Sequence, residues 1–273
     1  LIFVIFLLFN ISEIRMFNSL NLSMSLISTG GFIPTNSLNN IIQSNAQKLV
    51  FIFSLLISML NFFLLLNIFK KKIIIREHKE DFYLIILSII FVLLIYLNNY
   101  SGLNIIISVI SSLGNSGLSL INSDNNLSLY FILLTLIGGS LISNTSGIKF
   151  TRIYVLLKTS SSEMIKLISP NSVINKNIFG SEKKITDDNI KVSFLIFISF
   201  FISIFILSSV LVLDSINFEN AFNLSILTLT NTTNSALYGL ENINFNNLLD
   251  STKIFLIIFM IIGKIELISI FIL

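Results

Sequence analysis

Cysteine and tryptophan are absent from this chain of 273 residues, proline occurs twice and histidine once. Without cysteine there is no disulfide, no thiolate nucleophile and no cysteine-ligated metal. The one histidine, His78, lies in a charged stretch, which removes histidine metal sites and catalytic triads within this chain. Charge is scarce too: 11% of residues are Asp, Glu, Lys or Arg, about half the fraction of a soluble domain. Apolar residues make up 54% and mean hydropathy is +0.91, so there is too little polar surface to clothe a water-soluble globule. The apolar residues are gathered into blocks near the ~20 residues that cross a bilayer as helix. Soluble enzyme, disordered chain and nucleic-acid-binding domain are set aside, and an all-α polytopic membrane protein is expected. The chain opens on Leu1 with a nine-residue apolar run, which reads as the tail of a helix that begins upstream.

Five further apolar blocks follow, at 49–69, 82–97, 129–157, 192–213 and 253–273. The connections between blocks are of two kinds. Segment 70–81 carries five Lys/Arg and segment 158–191 carries six. Segments 98–128 and 214–252 carry none, and 10–48 carries only Arg15 and Lys48. The positive-inside rule places 70–81 and 158–191 in the cytoplasm and the other three outside a cell (inner) membrane.

The three outer connections share a plan: a polar start, a semi-apolar run of about 10–14 residues, a small-residue cluster and a polar exit. They read FNSLNLSMSLISTGGFIPTN (17–36), SGLNIIISVISSLGNSGLSLINS (101–123) and FENAFNLSILTLTNTTNSALYGLEN (218–242). Such runs are too short to span and too apolar for solvated loops, which describes re-entrant segments; extracellular loops with surface helices are the alternative. Irregular backbone at membrane depth is tolerated where it lines a water-filled cavity. The predicted unit is therefore helix, re-entrant pore loop, helix, occurring three times: 1–69, 82–157 and 192–273. Glycine and small hydroxyl residues after a half-helix suit a cation. Glycine lets backbone carbonyls converge, and the helix C-terminus presents partial negative charge.

At Ser28-Thr29-Gly30-Gly31-Phe32 the chain resembles the TrkH/KtrB/HKT superfamily of potassium transporters, and the TrkH branch most closely. The run from Gly138-Gly139-Ser140 through Ser143-Asn144-Thr145-Ser146-Gly147 to Lys149 and Arg152 is similar, without a gap, to that family's GGCAGSTGGGIKVIR. Ser169-Pro170-Asn171-Ser172-Val173 resembles its H-P-x-x-V, and Gly263-Lys264-Ile265-Glu266-Leu267 its G-R-L-E-L. The resemblance implies four repeats around a pseudo-four-fold pore, with the second, third and fourth in this chain and the first absent. It places the selectivity filter at Ser28, Thr29, Gly30 and Gly31, at Asn115, Ser116 and Gly117, and at Thr233, Asn234 and Ser235. Potassium would be held by backbone carbonyls of Thr29, Gly30, Ser116, Gly117, Thr233 and Asn234. Gly30, Gly117 and Asn234 take the filter-glycine positions; asparagine best tolerates the left-handed dihedrals there.

The same resemblance makes 138–147 an intramembrane gate loop, stiffened by Asn144-Thr145-Ser146. A kinked helix packed through small residues is the alternative. It also makes Lys264 a pore-facing charge; Glu266, two positions on and so not its i,i+4 partner, is expected to pair elsewhere in the bundle in a structural role. Arg152, and Lys149 with it, are expected to snorkel to the cytoplasmic face. Implied partners are the lipid bilayer, a second copy in a homodimer, and a cytoplasmic nucleotide-binding regulatory subunit of TrkA type docked on the basic segments, which otherwise serve only topology. No cofactor is expected; K+ is the transported ion. No G-x-x-x-x-G-K-[ST] is present, so the membrane potential would drive uptake. An intramembrane enzyme finds no paired carboxylates within a span. A degenerate or accessory subunit that no longer conducts is the other reading.

Overall fold

The computed structural model describes residues 1–35, 37–69, 78–97, 102–120, 125–170, 177–180, 184–233, 236–239, 245 and 248–265. Among them, regular structure is helical apart from one antiparallel bridge between Asn177 and Lys184. In chain order the helices are α1 (Ile2–Ile11), α2 (Met16–Ser28), α3 (Asn45–Met59), α4 (Phe62–Phe69), α5 (Lys79–Leu97), α6 (Leu103–Leu113), α7 (Asn125–Ile137), α8 (Phe150–Ile168), α9 (Asp187–Leu213), α10 (Phe218–Leu229) and α11 (Asp250–Ile265). The order of outer helix, buried half-helix, irregular loop and outer helix occurs over α1–α3, α5–α7 and α9–α11.

Local chemistry sets the helix ends. Ser44 and Gln47 form a reciprocal capping box at the start of α3. Thr186 accepts from Asn189 N–H at 3.3 Å and starts α9, whose 27 residues reach about 40 Å, more than the ~30 Å of a hydrocarbon core. Asp214, just past α9, accepts from Leu249 N–H at 3.0 Å and Thr252 Oγ1 at 2.8 Å, so its carboxylate caps the start of α11 and ties it to the end of α9. The apolar block 49–69 is not one helix: it breaks at Leu60-Asn61, where Asn61 N–H donates to Asp81 at 2.9 Å. The buried carboxylate supplies an acceptor that competes with helix continuation.

Helices α5 and α9 are long and apolar enough to cross a membrane, by length and composition. Their outer faces expose large apolar residues such as Ile90, Leu93, Phe194, Ile202 and Phe205, the reverse of a water-soluble surface. Serine hydroxyls within these helices bond back to their own backbone, as Ser203 Oγ does to Ser199 O at 2.8 Å and Ser88 Oγ to Ile85 O at 2.7 Å. The half-helices lie inside. From Ile107 to Leu113 every residue of α6 is buried, as is α10 from Leu224 to Leu229, while α2 buries one face through Ser19, Leu22, Ser23, Ser25 and Leu26. One core gathers α5, α6, α7, α9, α10 and α11, and a second gathers α1, α2, α3 and one face of α6, so α6 joins the two.

Candidate functional site: three loops and the strap beneath them

The three half-helices end in the same way. At the end of α2, Thr29 takes left-handed dihedrals (φ 50, ψ 41), and Gly30 N–H turns back to Ser25 O at 2.9 Å. At the end of α6, Asn115 has φ 48 and Ser116 N–H reaches Ser111 O at 3.0 Å. At the end of α10, Asn231 has φ 58 and Thr232 N–H reaches Leu227 O at 2.9 Å. Each is a Schellman-type turn that peels the chain off the helix at one offset. The offset fixes a register: Thr29, Asn115 and Asn231 correspond, then Gly30, Ser116 and Thr232, then Gly31, Gly117 and Thr233.

This register corrects the expected equivalence by one residue. Gly31, not Gly30, is the counterpart of Gly117, since both have positive φ (69 and 65). Thr233 occupies that position in the third loop, while Asn234 and Ser235 lie outside the described residues. The two glycines are also the points of closest approach. A Cβ on Gly31 would lie 2.9 Å from Ser116 O, and one on Gly117 would lie 3.5 Å from Thr232 Cα. The loops thus pack edge to edge in chain order. Behind the second, Ser111 Oγ donates to Leu118 O at 2.5 Å and fixes that strand of backbone. Between Ser28–Gly30 and Asn231–Thr233 a cavity of about 620 Å³ remains.

Beneath the three turns runs the irregular segment 138–149, which joins α7 to α8. Gly138 (φ 69) and Gly147 (φ 85) shape it: a Cβ on Gly138 would press on Ser146 O at 2.5 Å, and one on Gly147 on Thr135 O at 2.8 Å. Its first stem is tied to the scaffold. Ser140 N–H donates to Met59 O at 3.2 Å, Phe62 N–H to Ile142 O at 3.1 Å, and Leu141 N–H to Glu80 Oε1 at 2.7 Å. Its tip is tied to the loops above. Asn144 Nδ2 donates to Ile27 O at 2.9 Å, and Asn144 O accepts from Thr29 Oγ1 at 3.1 Å. Asn231 Nδ2 donates to Ser146 Oγ at 3.2 Å, and the buried Asn115 side chain lies beside Gly147. All three left-handed residues therefore point their side chains at the strap.

Two lysines complete the cluster. Lys264 Nζ, reaching in from α11, donates to Ser28 O at 2.7 Å, Thr29 Oγ1 at 2.5 Å and Asn144 O at 2.8 Å, so one ammonium bridges loop and strap. Glu266 lies outside the described residues. Lys149 does not snorkel, contrary to expectation. It is 3% exposed with φ 77, and its ammonium donates to Ser143 O at 3.0 Å and to Thr145 O, which folds the tip back on itself. Enough loop carbonyls converge there to solvate a charge that the membrane would otherwise expel. Asn231, Glu80 and Asp81 went unread in the sequence. Asn231 was detectable by counting from the end of α10; the two carboxylates were hidden in a charged segment that topology alone explains.

The arrangement defines a class, an all-helical protein in which three half-helices end in irregular loops over one shared strap. The chain superposes on the crystal structure of the potassium transporter TrkH from Vibrio parahaemolyticus with a TM-score of 0.88, at 20% identity, over 100% of this chain and 61% of that one. The fold is thus that of TrkH. In sequence, 171 residues (62% of the chain) are 27% identical to an uncharacterized cation transporter of Methanocaldococcus jannaschii, covering 36% of it. The chain thus spans about a third of that relative's length and under two thirds of TrkH's. No family model matches it.

Proposed function

We propose that this protein carries K+ across the cell membrane through a filter of backbone carbonyls built by the loops after α2, α6 and α10, with 138–147 as the gate. The observation that carries the reading is the repeated left-handed turn at Thr29, Asn115 and Asn231. It sends three chain segments away from three half-helix C-termini, whose partial negative charge favours a cation. The glycines two residues on let neighbouring loops close to backbone distance. The two similar proteins, a potassium transporter and an uncharacterized cation transporter, agree with this chemistry. The 620 Å³ gap beside Gly30 and Thr233 leaves room for a further pore loop. Uptake needs no nucleotide, since the membrane potential supplies ~2.3 kcal/mol per charge per 100 mV. A homodimer and a TrkA-type cytoplasmic subunit are proposed on the family resemblance alone.

A non-conducting or accessory role is the second reading, favoured by Thr233 where the other two loops have glycine. The test is growth on limiting K+ of a bacterium lacking its own uptake systems, with the whole reading frame supplied. Rescue that Gly31→Ser abolishes supports K+ transport through this filter. No rescue, with the protein present in the membrane, supports the accessory reading.

A further inference from the structure

The cytoplasmic connection between α8 and α9 places one residue where it has no reason to be for topology alone. Phe179 is 5% exposed and has φ 48, a strained choice for an aromatic residue. Its ring is stacked against three others: Tyr154 at 4.1 Å, Tyr83 at 5.3 Å and Phe150 at 5.6 Å between centroids. Tyr83 belongs to α5, and Phe150 and Tyr154 to α8, so the ring wedges between two helices. The segment is closed around it by the Asn177–Lys184 bridge, and Lys158 of α8 donates to Asn177 O while its ammonium lies 5.6 Å from the Tyr154 ring centroid.

The neighbours of this ring are the roots of the strap. Phe150 is the first residue of α8, directly after Lys149, and its N–H donates to Gly139 O at 3.1 Å. Tyr83 stands one turn beyond Glu80, which holds Leu141 N–H. Both stems of 138–149 therefore rest on helix ends that Phe179 holds apart at a fixed spacing. We infer that Phe179 is a positioning residue for the strap: seated in the Tyr83–Phe150–Tyr154 cage, it fixes the start of α8 and keeps the tip against the loops. Withdrawing the ring opens a void into which the start of α8 shifts, and the tip, through Asn144 and Ser146, loses its registry with Thr29 and Asn231.

This inference rests on the transport reading and deepens it by naming the cytoplasmic input to the gate. The experiment measures Rb+ flux into liposomes carrying the protein made from the whole reading frame. Phe179→Ala is expected to raise initial flux about threefold to tenfold, the worth of one to two aromatic pairs, with the K+/Na+ preference unchanged. Phe179→Tyr, which refills the cage, is expected to restore the original rate. With any other cysteine of the reading frame replaced by serine, the pair Phe179→Cys and Tyr154→Cys is joined by a reducible bis-thiosulfonate linker, which should shut flux until reductant is added. Equal flux in wild type, Phe179→Ala and the cross-linked pair overturns the inference and leaves the transport reading standing. Altered ion preference in Phe179→Ala also overturns it, since a filter effect is not a strap effect. Absence of flux in the wild type refutes the transport reading itself.

Discussion

Replacing Lys264 by methionine keeps the length and apolar stem of the side chain and deletes the ammonium that bridges Asn144 O to Ser28 O and Thr29 Oγ1. If the strap opens by drawing its tip away from the loop, the lysine can follow one side only, so opening breaks the bonds to the other. A hydrogen bond from a charged donor contributes ~1.5–3 kcal/mol when shielded, and the Lys264 head is exposed, so water replaces part of what is lost. We take about 1.5 kcal/mol as the bridge's hold on the closed arrangement, which is roughly tenfold in the open-to-closed ratio. Lys264→Met is accordingly expected to raise Rb+ flux about tenfold at equal protein density. Lys264→Arg, which presents donors to both sides, should remain near wild type. The double variant with Asn144→Ala should fall short of the product of the single effects, because both substitutions free one tip. Unchanged or lower flux in Lys264→Met, with normal amounts of protein in the membrane, would refute the latch.

The register of the loops predicts that Gly31→Ala and Gly30→Ala differ. The first puts a Cβ 2.9 Å from a backbone oxygen at φ 69, whereas the second meets mainly side-chain atoms of Ser28 and Phe32 at 3.1 and 3.3 Å. K+-limited growth should be lost with Gly31→Ala and only reduced with Gly30→Ala. At the α10–α11 crossing a Cβ on Gly263 would overlap Leu229 O, so Gly263→Ala should cost ~1–3 kcal/mol and lower the thermal midpoint in detergent; an unchanged midpoint would count against this close packing. Glu80→Ala leaves Leu141 N–H without its acceptor, a loss of about 1–3 kcal/mol, while Glu80→Gln keeps an oxygen there. Thiol labelling of an introduced Ser143→Cys should therefore quicken in the alanine variant and stay slow in the glutamine one.

Membrane class and helix order were legible because they depend on bulk quantities. Hydrophobic blocks of bilayer length and the swing of Lys and Arg between connections are insensitive to any one residue. Buried half-helices were legible for the same reason, since runs such as 103–113 are too apolar for water and too short to span. Helix breaks were less so. The interruption at Leu60-Asn61 depends on Asp81, twenty positions away, offering its carboxylate to an amide, and no local property of FSLLISMLNFFLLL announces that. Lys149 is a similar case. Its charge suggested water, but what decides its place is a set of acceptors, the carbonyls and hydroxyls of Ser143 and Thr145, that converge only once the strap has folded.

The off-by-one register at the proposed filter has a more specific cause. In Ser28-Thr29-Gly30-Gly31 the eye assigns the special backbone to the first glycine, yet the left-handed residue that ends each half-helix is Thr29, Asn115 or Asn231, never a glycine. Asparagine accepts that conformation at small cost; a β-branched threonine does not. The strain at Thr29 is offset by what its side chain gains, a hydroxyl directed at Asn144 O and held by Lys264. Left-handed caps thus put polar side chains where the strap can be gripped, and they release the glycines that follow for close approach between loops. Helix cap and close loop packing are two uses of one turn, and a motif that reads only the glycines sees the second use without the first.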